Sequence, residues 1–102
     1  MYKLITAANS SRAYQLKSKL NSDYVLLGDY HDLPDLLLKT GKVLRLPDPK
    51  KTSYTHEMLS LCIDKDIDTI YALREQEKQL LLNAEQLFQE YNIKIQVTDN
   101  EI

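Results

Sequence analysis

The sequence predicts an α/β fold of three layers: a parallel five-stranded sheet with helices on both faces. Three observations predict it. Short apolar, strand-like runs alternate with helical patterns along the chain. Strands joined by helices need crossover connections, and crossovers leave neighbouring strands parallel. Finally, 102 residues suit one domain, and a chain of this size buries about 65% of its unfolded surface, enough for one core. Residues 1–102 are therefore expected to form a single domain.

The elements follow in order. Lys3–Ala7 is a short apolar run and reads as the first strand. Ala13, Leu16 and Leu20 share one face of the helix after it, with Asn9 or Ser10 as its cap. Tyr24–Gly28 is the second strand. Leu33–Leu38 is too short for a full crossover helix and is expected to make about one or two turns, with Pro34 near its first position and Gly41 as its stop. Lys42–Leu46 is the third strand. Tyr54, Met58, Leu61 and Cys62 fall on one helical stripe, capped by Thr52 or Ser53 after Pro49. Thr69–Leu73 is the fourth strand. Leu80, Leu81, Ala84, Leu87, Phe88 and Tyr91 then mark one long helix from about Arg74 to Tyr91. Glu75 and Glu77 lie in its first turn, where the helix dipole favours negative charge. Ile93–Val97 alternates apolar and polar residues, as an edge strand covered on one face would. The order gives a Rossmann-like unit without a repeat or an internal linker. Its core is expected to contain Leu4, Ile5, Leu26, Val43, Leu61, Ile70, Leu81, Ala84 and Phe88.

Composition removes several classes of function. A net charge of −2 is poor for a nucleic-acid binder, which needs a basic face. No apolar run is long enough to span a membrane. The first residues, one lysine and a five-residue apolar run, do not read as a secretory leader, so a cytoplasmic location is expected. The single cysteine, Cys62, has no disulfide partner and no sulfur ligand beside it.

Chemistry-bearing residues are sparse. The turn after the first strand is Ala-Ala-Asn-Ser-Ser-Arg, residues 7–12, without glycine. A dinucleotide-binding turn uses glycines so that the backbone can approach a pyrophosphate. Asp29, at the end of the second strand, stands where such a fold places its ribose-binding acid, but it reads more simply as a strand-ending residue. His31, with Asp29, Asp32 and Asp35, reads as part of an acidic loop before a metal cluster. His56 reads as a solvated residue and Cys62 as a small core residue. Tyr14, Tyr54 and Tyr91 read as core-edge residues on helix stripes. No nucleophile, base and orienting group can be named together, so neither a catalytic set, a metal nor a cofactor is expected.

Three stretches carry a family likeness. "KLITAANSSRAYQLKSKL", "KVLRLPDP" and "IDTIYALREQEKQLLLNAEQLFQEYNIKIQV" resemble the domain that precedes the ATP-binding part of ATP-grasp enzymes, of the biotin-carboxylase and carbamoyl-phosphate-synthase kind. The likeness covers most of residues 3 to 97 and departs from the family in lacking the turn glycines. It implies a pre-ATP-grasp domain with strand order 3-2-1-4-5. Residues 98–102 hold none of the ATP-grasp lysines, metal ligands or glycine-rich lid, so the likeness implies no ligase activity.

That strand order would place the topological switch between strands one and four. Asn9, Ser10, Ser11 and Arg12 would then meet Arg74 and Glu75, and these six are the candidate ligand-binding residues. Helix N–H groups suit an anion, and an arginine adds a bidentate partner. The leading expectation is a non-catalytic domain acting by protein binding, either to a separately encoded ATP-grasp chain or to a second copy of itself. The alternative is a small-anion or small-metabolite binding domain, or weak enzyme, using this crevice.

Overall fold

In a computed structural model the structure describes residues 2–8, 10–20, 24–30, 39 and 43–97. The strands are β1 (Tyr2–Ile5), β2 (Val25–Asp29), β3 (Val43–Arg45), β4 (Ile67–Ala72) and β5 (Lys94–Val97). The helices among the described residues are α1 (Ser11–Leu20), α2 (Tyr54–Asp64), α3 (Glu75–Asn83) and α4 (Glu85–Glu90). The short element expected at Leu33–Leu38 lies outside the described residues.

All strand pairs are parallel, in the order β3-β2-β1-β4-β5. Leu4 of the central strand pairs with Leu26 on one side and Ile70 on the other. Successive strand residues point to opposite faces, so Leu4 and Ile5 enter different cores. Ile5, Val25, Leu27 and Val43 pack with Ala13 and Leu16 of α1. Leu4, Ile70 and Ile95 pack with Met58 and Cys62 of α2, Leu81 of α3 and Phe88 of α4. The three-layer Rossmann-like α/β fold read from the sequence is the fold observed. Of the expected core, Leu4, Ile5, Val43, Ile70, Leu81 and Phe88 are buried, while Leu26, Leu61 and Ala84 are half-buried against it.

Two local features differ from the sequence reading. The long helix is broken at Ala84, which has φ −107° and ψ 14° and donates its N–H to Leu81 O at 3.1 Å. An uninterrupted helix of about 18 residues would run some 27 Å, longer than the strands beneath it. The break lets both Leu81 and Phe88 reach full burial. Asn92 then ends α4 with φ 62°. Its N–H donates to Gln89 O at 2.9 Å, and Ile93 N–H donates to Phe88 O at 3.0 Å. This is the paired closure of a left-handed helix stop, which asparagine tolerates. The second difference is at α2. Ser53 stands at its cap position, but the hydroxyl donates to the Glu57 carboxylate and bonds no backbone N–H.

The first turn is where the absence of glycine matters. Ala7 takes φ 58°, a left-handed value that costs an L-residue about 1–2 kcal/mol. The turn holds it there: Ala8 N–H donates to Gly28 O at 3.0 Å, and Ser10 N–H returns to Ala7 O at 2.9 Å. Ser10 Oγ also donates to Ala7 O at 2.9 Å and accepts from Ala13 N–H at 3.3 Å, so it caps α1. The close approach falls instead at Gly28. A Cβ there would lie 2.8 Å from Leu46 Cδ2 and 2.9 Å from Leu46 Cγ, so its absence lets Leu46 close over the sheet.

Candidate functional site

The carboxyl ends of β1, β2 and β4 converge on a polar cluster. β2 ends in Asp29, which is fully buried. Its Oδ1 accepts the Tyr30 N–H at 2.8 Å, and its Oδ2 accepts Arg74 Nη2 at 2.9 Å. Arg74 comes from the turn after β4 and stands at the cap position of α3 in extended conformation. Its guanidinium carbon lies 5.3 Å from the centre of the Tyr30 ring, a cation–π distance. The Asp29 side chain is 0% exposed and that of Arg74 26%. The pair is therefore more than a surface contact.

A second buried acid sits in the first turn of α3. Glu77 is fully buried, and its Oε2 accepts the Tyr54 hydroxyl from α2 at 3.0 Å. Among the described residues its Oε1 has no hydrogen-bond partner. Burial pushes the Glu77 carboxyl up to about 7. The Tyr54 hydrogen bond opposes that rise, Asp29 adds to it, and Arg74 and the Thr6 hydroxyl oppose it more weakly. Tyr54 is raised far above an ordinary phenol, by burial first and then by the Glu77 charge. Thr6 joins the strand ends directly, its Oγ1 accepting Leu73 N–H at 2.9 Å. Thr6, Asp29, Tyr54, Arg74 and Glu77 thus tie three strand ends to two helices.

Outside this cluster opens a cleft of about 510 Å³, lined by Ala7, Ser10, Arg12, Tyr30, Leu73, Arg74, Glu75 and Gln76. Four of the six sequence-predicted site residues meet there: Ser10, Arg12, Arg74 and Glu75. Ser11 is exposed on the first turn of α1 and lies outside the lining. Asn9 lies outside the described residues. A neighbouring cleft of about 440 Å³ shares Tyr30 as a wall and is bordered by Arg45, Asp48, Lys51 and Glu57. The two clefts lie at the carboxyl edge of the sheet, where open parallel sheets bind ligands.

Several sequence readings change. Arg74, read as a candidate ligand-binding residue, also pairs with buried Asp29. Asp29 is a structural anchor and more than an ordinary end of a strand. Tyr54, read as a core-edge residue, is fully buried, whereas Tyr14 and Tyr91 are exposed. Glu77, read as a first-turn dipole partner, carries the buried acid of the cluster. Its spacing contained the signal: Glu77 precedes Leu81 by four residues, Ala84 by seven and Phe88 by eleven, which places it on the buried stripe.

Of the remaining titratable candidates, Cys62 and His56 are outside the lining of this cleft. Cys62 is buried, and burial pushes its thiol up to about 12. His56 is exposed on α2, and His31 lies outside the described residues. Among the described residues no group of three His, Cys, Asp or Glu side chains is arranged to hold a metal ion, and no helix is long and apolar enough to cross a membrane. No protein-family model matches the chain, and a search of curated proteins finds no significant match.

Proposed function

We propose that this chain is a non-catalytic binding domain of the pre-ATP-grasp type that holds a small anionic metabolite at the carboxyl edge of its sheet. The observation that carries this reading is the cleft between the start of α1 and the β4–α3 turn, where Arg12, Arg74 and Ser10 converge. The chemistry suits a carboxylate or phosphate: guanidinium groups are strong partners for planar anions, and the start of α1 brings a positive dipole end. Glu75 and Gln76, which follow Arg74 in the lining, suit the polar remainder of such a ligand.

Binding without catalysis is favoured by how the lining groups are engaged. The Ser10 hydroxyl donates to Ala7 O within its own turn. Glu77, whose raised carboxyl would suit proton transfer, lies behind the lining and is fully buried.

The test is a thermal-shift screen with carboxylates, phosphates and nucleotides. A ligand present at 100 times its Kd adds about 2.7 kcal/mol to stability. Small carboxylates or phosphates should raise the unfolding temperature above matched sodium chloride. The proposal fails if no anion does so, or if only magnesium–ATP does.

A second reading, docking to another protein, is favoured by a different face. Ile63 and Tyr91 are 53% and 52% exposed, and both border a hollow of about 370 Å³ between α2 and the end of α4. Such a pair suits a second copy of this chain or a separately encoded ATP-grasp chain. Sedimentation of the wild type and of Ile63→Lys distinguishes self-association from a monomer.

A further inference from the structure

We propose that the two clefts at the carboxyl edge form one site, whose ligand carries an anionic group on a planar ring: the anion sits beside Arg74, and the ring lies past Tyr30 in the second cleft. The inference rests on the first cleft being the anion site, and it adds the rest of the ligand. Size is the first argument. Sites for small organic molecules measure about 300–1,000 Å³, and the first cleft alone encloses about 510 Å³. A single phosphate or carboxylate would leave most of that space to water.

Adjacency is the second argument. Arg74 belongs to the turn after β4, yet its guanidinium reaches across the end of β1 and meets Asp29 at the end of β2, 2.9 Å away. Tyr30, the next residue, holds its ring 5.3 Å from the same guanidinium and lines both clefts. Asp29 is in register with Arg45 of β3, and its backbone carbonyl accepts Leu46 N–H at 2.9 Å. Neighbouring strands lie about 4.8 Å apart. The guanidinium therefore stands about one strand spacing from the end of β3, which walls the second cleft, within reach of a single ring-bearing molecule.

Lining chemistry is the third argument. The second cleft, of about 440 Å³, combines Tyr30, Leu46, Pro47 and Leu61 with charged groups that include Asp48 and Lys51. The first four suit the face of a ring. A carboxylate and an ammonium suit polar atoms on its edge. A second anionic end would leave the four apolar groups unused.

Inorganic phosphate, phenol and phenyl phosphate are titrated into the full chain at one pH and ionic strength and followed by amide shifts. Inorganic phosphate should shift residues 10–12, 30 and 73–76. Phenyl phosphate should shift those and also residues 45, 46, 48 and 61. It should bind about tenfold more tightly than inorganic phosphate, the order expected for covering one ring, and more tightly than phenol. Leu61→Gln, neutral and compatible with a helix, should remove most of that gain and leave the affinity for inorganic phosphate unchanged. Should this variant not fold, the wild-type shifts decide alone. Equal affinity for the two phosphates, without shifts in the second cleft, overturns the joined site and leaves the anion site standing. Phenol binding as tightly as phenyl phosphate, extra shifts centred on Ile63 and Tyr91, or the full gain kept in Leu61→Gln each overturn the joined site as well. Binding of neither phosphate overturns both readings.

Discussion

Arg74 Nη2 lies 2.9 Å from Asp29 Oδ2, joining the turn after β4 to the end of β2 across the central strand. The two residues are 45 positions apart in the chain. With Asp29 fully buried, the pair anchors Arg74 where it lines the cleft.

Removing one member of a buried pair leaves the other charge uncompensated, which costs about 3–5 kcal/mol. Arg74→Ala should therefore destabilise strongly in urea unfolding. The double variant Asp29→Ala/Arg74→Ala should cost clearly less than the sum of the two single variants. Additive effects would mean that the pair contributes no coupling.

Glu77 makes stability depend on pH in a definite direction. Its carboxyl is raised from 4.5 to about 7 in the folded state. A raised acid adds stability that is fully present below the unfolded value and is lost as pH climbs through the folded one. Between about pH 5 and about pH 8, wild type should lose a few kcal/mol relative to Glu77→Gln. Unfolding curves that stay parallel across this range would contradict the burial of an ionisable Glu77.

Phe88 is fully buried in the core beneath α3 and α4. Phe88→Ala should cost about 3–5 kcal/mol, a large part of a small domain's stability. Denaturant unfolding with a loss below about 1 kcal/mol would place that side chain outside the core.

Ala7 tests the glycine-free turn. Ala7→Gly relieves a left-handed alanine but removes a buried methyl, so the two effects, each about 1 kcal/mol, should nearly cancel. Ala7→Val should destabilise by more than about 2 kcal/mol, because a branched side chain fits φ 58° poorly. Equal stabilities for the valine and glycine variants would remove the strained turn from the account.

The framework was legible because strand and helix periodicities differ. Leu4, Ile70 and Leu81 sit where those periodicities put them, and the alternation of elements dictated parallel pairing. The mouth of the cleft was legible as well: Ser10, Arg12, Arg74 and Glu75 follow from two turns meeting at the switch point. The layer behind it was hidden. Tyr54 satisfies an apolar stripe and a buried hydrogen bond equally well, and only the fold brings it to Glu77, 23 residues away. Asp29 likewise ends its strand as many acids do, and its pairing with Arg74 depends on β1 lying between β2 and β4. The break at Ala84 was not legible, because the apolar stripe continues through it without interruption.

The central claim is that the edge between α1 and the β4–α3 turn is a built anion site. Mapping amide chemical shifts during a sulfate titration is the decisive test. Saturable shifts should cluster at residues 10–12, 30 and 73–76, and the shifts at Arg74 should share one dissociation constant with those at Ser10. Shifts that spread over the surface without saturating, or that centre on Lys50 and Lys51, would contradict it.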